Sequence, residues 1–213
     1  MTTPELFPGR HHTYLARFEI GGLLHGEDET GRKVALLVGP RVVLLERLQI
    51  SRLMPPGVLP DVIEYREMED EGMGFLVMEA IHGYPLWDLV VEGRWLTLSE
   101  CRLLVSDLAA DLAGFIRLSL EPEVLRPKDV VYDAGRKRPR FRLAGVPRTR
   151  QGEGESTVAR GLARLALDVS GEDVKATRLG RLLRKTAQRG GSLSRLQREG
   201  AGPPGRPRVS RAE

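Results

Sequence analysis

Apolar positions recur along this chain in two periods. From Thr13 to Val38 they come in short strand-like runs: TYLARFEI alternates in part, GGLLHGEDETG is a glycine-bearing acidic loop, and RKVALLV is an apolar strand stopped by Gly39-Pro40. VVLLERLQISRLM follows at helical spacing through Val43, Leu44, Leu48 and Leu53, with Arg47 as the exception, and Pro55-Pro56-Gly57 closes it. Val58 to Glu67 reads as a strand and MEDEGMG as a polar hairpin. Phe75 to Met78 is then a short buried strand ending at Glu79, and Gly83 and Pro85 punctuate an extended link before WDLVV. Thr97 to Leu120 is the clearest helix: Thr97 and Glu100 make a capping-box pattern ahead of Leu103, Leu104, Leu108, Leu112, Phe115 and Ile116. Beyond it, VVY and FRL flank a turn at DAGRKRP as a hairpin, and TRQGEGES is a polar separator. A helix over roughly 156–169 and a helical region over about 173–199 complete the pattern. GAGPPGRPRVSRAE reads as disordered, and the chain has no repeats.

Composition narrows the class. With 213 residues, 41% of them hydrophobic, the chain suits one domain or two small lobes with a real core. No apolar run approaches the roughly 20 residues of a membrane span. The N-terminus lacks the basic-then-apolar pattern of a secretory signal. The single cysteine, Cys101, sits in an amphipathic pattern, so it reads as a buried core residue in a reducing cytoplasm. From Arg178 onward ten Lys/Arg face only Glu199 and Glu213, a net of +8 that leaves −4 for the rest of the +4 chain. The basicity belongs to the C-terminal region, where arginines at helical spacing fit a nucleic-acid or acidic partner through residues 178–213 or internal pairing. That region has no aromatic residue for base stacking.

The order of these elements resembles the protein kinase superfamily in a degenerate, truncated form, of the bacterial pseudokinase kind. GRKVALLV is similar to the strand that ends V-A-I-K, ERLQISRL to the helix carrying the family's glutamate, and FLVMEAIHGYPL to the gatekeeper and hinge. LRPKDVVYDAGRKRPRFRLAG is similar to the catalytic loop and the hairpin ending in D-F-G. The resemblance implies an α+β, two-lobed protein-kinase-like fold with a small β-rich N-lobe and a reduced helical C-lobe. Its parts would be a flexible N-terminus over 1–12, an N-lobe over 13–79, a C-lobe over 80–199 and a disordered basic tail over 200–213.

Carried over residue by residue, the resemblance puts Leu37 at the phosphate-binding lysine, Val124 at the catalytic base and Leu143 at the metal-binding aspartate of D-F-G. Glu46, Arg126 and Asp129 remain at the helix glutamate, the loop lysine and the metal-binding asparagine. It makes Met78 the gatekeeper, with Met78, Glu79 and Ile81 as the hinge residues that would meet a nucleotide base. Gly21, Gly22 and Gly26 do not match G-x-G-x-x-G without a gap, the segment from Gly145 to Ser156 is far shorter than an activation segment, and A-P-E is missing.

These positions lead to four expectations. Lys33, on the same strand face as Leu37, is a substitute lysine or a solvated strand end, the latter favoured. Asp129 and Asp133 are a cation pair or loop chemistry, again the latter favoured. Glu46 pairs with Arg17, Arg41 or Arg126. His25 and His82 lack the neighbours that metal binding needs. The leading reading is a catalytically inactive module with no cofactor and a protein partner, leaving room only for weak nucleotide contact. The rivals are an atypical nucleotide-dependent phosphotransferase and a nucleic-acid-associated protein.

Overall fold

The computed structural model describes all residues except 1–4, 21–22, 70–71, 82, 124, 134–139, 151–153 and 202–213. The chain forms two compact units, one of Met1–Gly93 with Pro122–Arg150 and one of Arg94–Glu121 with Gln151–Glu213.

The first unit is built on a six-stranded antiparallel sheet in the order β1 (Glu5–Pro8), β2 (Thr13–Ile20), β3 (Leu23–Asp28), β4 (Lys33–Pro40), β6 (Met73–Glu79), β5 (Val62–Glu67). Side chains alternate across each strand. One face gathers Phe7, Tyr14, Ala16, Val34, Leu36, Phe75 and Val77 into a buried cluster. The first strand lies inside the stretch expected to be flexible. It is held there by Phe7, whose ring meets Phe75 edge-on at 5.4 Å between centroids. Helix α1 (Arg41–Leu53) follows β4 directly and buries Leu44 and Ile50, whereas Leu53, expected on its apolar face, points to solvent.

The extended link after β6 becomes a strand, β7 (Gly83–Pro85), leading into α2 (Leu86–Val91). Together with β9 (Val130–Asp133) and β10 (Arg140–Leu143) it makes a second antiparallel sheet, in the order β10-β9-β7. A glycine is needed at position 83, because a Cβ there would run into the Tyr132 carbonyl. Pro85 is tolerated because β7 is an edge strand. Short strands β8 (Glu121–Pro122) and β11 (Thr149–Arg150) bracket this part of the chain.

Arg142, on β10, is 2% exposed. Its guanidinium donates to the Asp133 carboxylate at 3.3 Å and to the Leu59 carbonyl at 3.3 Å. Asp133 therefore belongs to a buried ion pair rather than to a cation site with Asp129.

In the second unit, α3 (Leu98–Arg117) begins with the expected capping box. The Thr97 N–H donates to Glu100 at 2.9 Å and the Glu100 N–H to the Thr97 hydroxyl at 3.4 Å. Then come α4 (Glu155–Asp168), α5 (Glu172–Ala176), α6 (Arg178–Arg189) and α7 (Leu193–Ala201). The region read as helical over 173–199 is thus three helices. Thr177 ends one and caps the next through the Gly180 N–H at 3.2 Å, and Gly190, at φ 77°, breaks the chain again. Glu155 caps the start of α7, accepting from the Leu193 N–H at 2.6 Å. Gly200 lies so close to α3 that a Cβ would stand 2.7 Å from the Arg102 carbonyl oxygen. Among the described residues no helix is long and apolar enough to cross a membrane.

Two stability predictions rest on these contacts. Asp133→Ala leaves Arg142 buried without its counter-ion and is expected to cost about 3–5 kcal/mol, read from the urea midpoint, with Asp133→Leu/Arg142→Leu recovering most of it. Gly200→Val forces α7 off α3 and is expected to cost about 1–3 kcal/mol by the same measurement.

Candidate functional site

Strands β4 and β6 pair so that Ala35 stands opposite Met78 and Leu37 opposite Leu76, which places these four side chains on the sheet face away from the Phe7–Phe75 cluster. Ala35, Leu76 and Met78 are fully buried and Leu37 is half-buried. The position expected to match the family's lysine is therefore part of a methyl-lined wall. Lys33, two pleats earlier, does not substitute for a lysine there. Its ammonium is paired with Glu27, which also takes Arg17 at 2.5 Å, and those two cations hold the Glu27 carboxyl below its usual range. The side chains of Lys33 and Arg17 are about half exposed, so this cluster lies on the surface.

The segment that the sequence likened to D-F-G is equally apolar. Leu143, paired opposite Val130, is 1% exposed. Two residues on, a Cβ on Gly145 would stand 3.2 Å from a Leu23 methyl and 3.8 Å from the Met78 methyl. The backbone at Gly145 is thus packed against Met78 and against the first residue of β3. Ile20 pairs with Leu23 where β2 meets β3. Gly26 serves the sheet, since a Cβ there would strike the Leu15 carbonyl across the strand pair.

The loop before β9 closes on itself. Asp129 accepts from the Arg126 backbone N–H at 2.9 Å and from its guanidinium Nε at 3.2 Å, and its own carbonyl accepts from the Ala144 N–H at 2.9 Å. Arg126 and Asp129 satisfy each other across one turn. Val124, the base position, lies outside the described residues, as do Gly21, Gly22 and His82.

Glu46 takes none of the arginines considered for it. Arg17 serves Glu27, Arg41 reaches Glu67 at 3.2 Å and Arg126 holds Asp129. Glu46 instead accepts from the Thr149 hydroxyl at 3.2 Å, in the shortened segment after the remnant. Beside it stands a residue that sequence reasoning passed over. Arg47 is half-buried and its Nε has no hydrogen-bond partner among the described residues. Burial and the neighbouring Arg148 charge push its guanidinium below the usual value, against the pull of Glu46, Glu123 and Asp129. The available signal was its place as the one charged residue at an apolar position of the helical period.

Of the hinge residues, Met78 is fully buried, while Glu79 and Ile81 are half-buried. The Glu79 N–H already donates to the Asp61 carbonyl at 2.8 Å.

No family model matches the chain, and no curated protein matches it. Among solved structures it is similar to the crystal structure of the Rad53 kinase domain and SCD2 in complex with AMPPNP. The TM-score is 0.68 at 10% identity, over 87% of this chain and 88% of that one. At that identity the likeness is one of fold: a curled antiparallel sheet with a helical part, α+β, in the manner of a protein kinase domain.

Proposed function

We propose that this chain is a catalytically inactive kinase-like module that binds and regulates a protein partner in the cytoplasm. The observation that carries the reading is the apolar seal around the D-F-G remnant, where buried Leu143 ends β10 and Gly145 abuts Leu23 and Met78. Phosphoryl transfer requires fixed charge beside the phosphate oxygens, and losing one such donor typically costs about 3–4 kcal/mol of transition-state stabilisation. Here Leu37 and Leu143 stand at two of those positions together, and the Asp129 carboxylate is engaged by Arg126. The residues present do not fit ATP with Mg²⁺.

Support for a protein partner comes from the other side of the hinge. Tyr84, Trp87 and Val91 are 64%, 49% and 65% exposed. Trp87 and Val91 are four apart on α2, so they share a face. Exposed aromatic residues grouped in this way are the type that anchors protein interfaces. Cys101, fully buried with its thiol pushed up by burial, suits a reducing compartment.

Thermal denaturation tests the reading. A site filled at a hundredfold excess over its Kd would add about 2.7 kcal/mol and raise the midpoint by several degrees. Millimolar ATP, with or without Mg²⁺, is expected to leave the midpoint unchanged and to transfer no label to the protein. Label transfer that disappears in Asp129→Asn would overturn the proposal in favour of an atypical phosphotransferase. Restoring the aspartate is expected to harm the fold instead: Leu143→Asp places an uncompensated charge in a buried strand, at a cost on the order of 3–5 kcal/mol near neutral pH. Burial raises the folded-state pKa of such a carboxyl, so the penalty is present above that value and shrinks as the pH falls toward the unfolded value near 4. Urea midpoints of variant and parent at neutral and acid pH check this.

A further inference from the structure

Helix α6 divides cleanly in two. Arg178, Arg181, Arg184, Lys185, Gln188 and Arg189 are exposed, while Leu179, Gly180, Leu183 and Thr186 are buried. At 3.6 residues per turn the exposed set occupies one arc of about 140° along a helix about 18 Å long. Arg195 and Arg198 extend the exposed cations onto α7, joined to α6 through the Arg178–Glu199 pair at 2.9 Å.

Six of these seven cations, all but Arg178, have no ion pair among the described residues. Arg184 and Arg198 donate only to backbone carbonyls, of Lys175 at 2.9 Å and Ser194 at 3.4 Å. Internal pairing therefore does not account for this face. We infer that the outward face of α6 and α7 binds the phosphate backbone of double-stranded nucleic acid without reading its sequence.

The partner follows from what the face contains and what it lacks. Guanidinium forks repeated each turn suit phosphate oxygens. The polar residues between them are Gln188, Ser194 and Gln197, so no apolar or aromatic anchor is offered to a protein hot spot or to the stacked bases of a single strand. Leu179, Leu183, Leu193 and Leu196 are buried within the unit and unavailable to a membrane.

Fluorescence anisotropy of a labelled duplex of scrambled sequence, titrated with the full chain, tests this. If four or five phosphates are neutralised, affinity falls roughly 150- to 500-fold between about 50 and 200 mM salt, a log–log slope of about −4. Arg181→Gln/Lys185→Gln/Arg189→Gln is expected to weaken binding at least tenfold and to flatten the slope by about 2.7, whereas Arg10→Gln/Arg32→Gln in the first unit changes neither. Should the triple variant melt early, Lys185→Gln alone is expected to flatten the slope by about 0.9. The inference is overturned by no binding at low salt, by unchanged binding in the triple variant, or by loss of binding on deleting residues 202–213 alone. Binding to phosphatidylserine vesicles but not to duplex also overturns it, and assigns the face to a membrane surface.

Discussion

A single buried guanidinium orders the chemistry-bearing part of this chain. Arg142 sits in the middle of β10 with almost no exposure, bonded on one side to Asp133 of β9 and on another to the Leu59 carbonyl, in the connection between α1 and β5. A charge in that position is tolerated only while both partners hold it, since either loss leaves a desolvated ion. The pair consequently fixes the β9–β10 hairpin against the front sheet's own loop. Leu143, the next residue, inherits its position from that anchor, and so does the Gly145 backbone resting on Leu23 and Met78.

The likeness to a protein kinase domain is one of fold, and it says nothing of the side chains that the Arg142 anchor holds in place. The six-stranded sheet, α1 and the β9–β10 hairpin all lie in the one unit that the Arg142 pair braces. The polar groups that the sequence resemblance singled out are held internally: Asp129 by its own turn, Glu46 by Thr149, and Lys33 in a surface cluster on Glu27. Each meets a partner within the chain, as polar groups in folded proteins generally do. Arg47 stands apart, half-buried beside a like charge with an Nε unbonded among the described residues.

Much of the fold could be read from the sequence where local signals were strong. The Thr97–Glu100 capping box and the VVY…FRL hairpin are short-range patterns, and both are present. What escaped were elements defined by distant partners. The first strand has four residues and one buried side chain, and it exists because Phe7 meets Phe75, far along the chain. The strand Gly83–Pro85 carries turn residues and is a strand only because Tyr132 comes close enough to require glycine. The site residues follow the same division. Leucines in place of charges are visible in any sequence, whereas the partners of Glu46 and Asp133 depend on which loop lies opposite. The three-helix division of the last region turns on Thr177 and Gly190, whose capping roles compete with a continuous helical periodicity.

The route of the backbone between the two units has a consequence of its own. The unit bearing the front sheet is assembled from a long first stretch and from Pro122–Arg150, with α3 inserted between them. A fragment ending at Gly93 would keep the six-stranded sheet but strip β7 of its neighbour and leave the Leu59 carbonyl without the Arg142 donor. Neither half can be inherited, expressed or shuffled as one uninterrupted cassette, so nicking within α3 would yield pieces that need each other rather than two independent proteins.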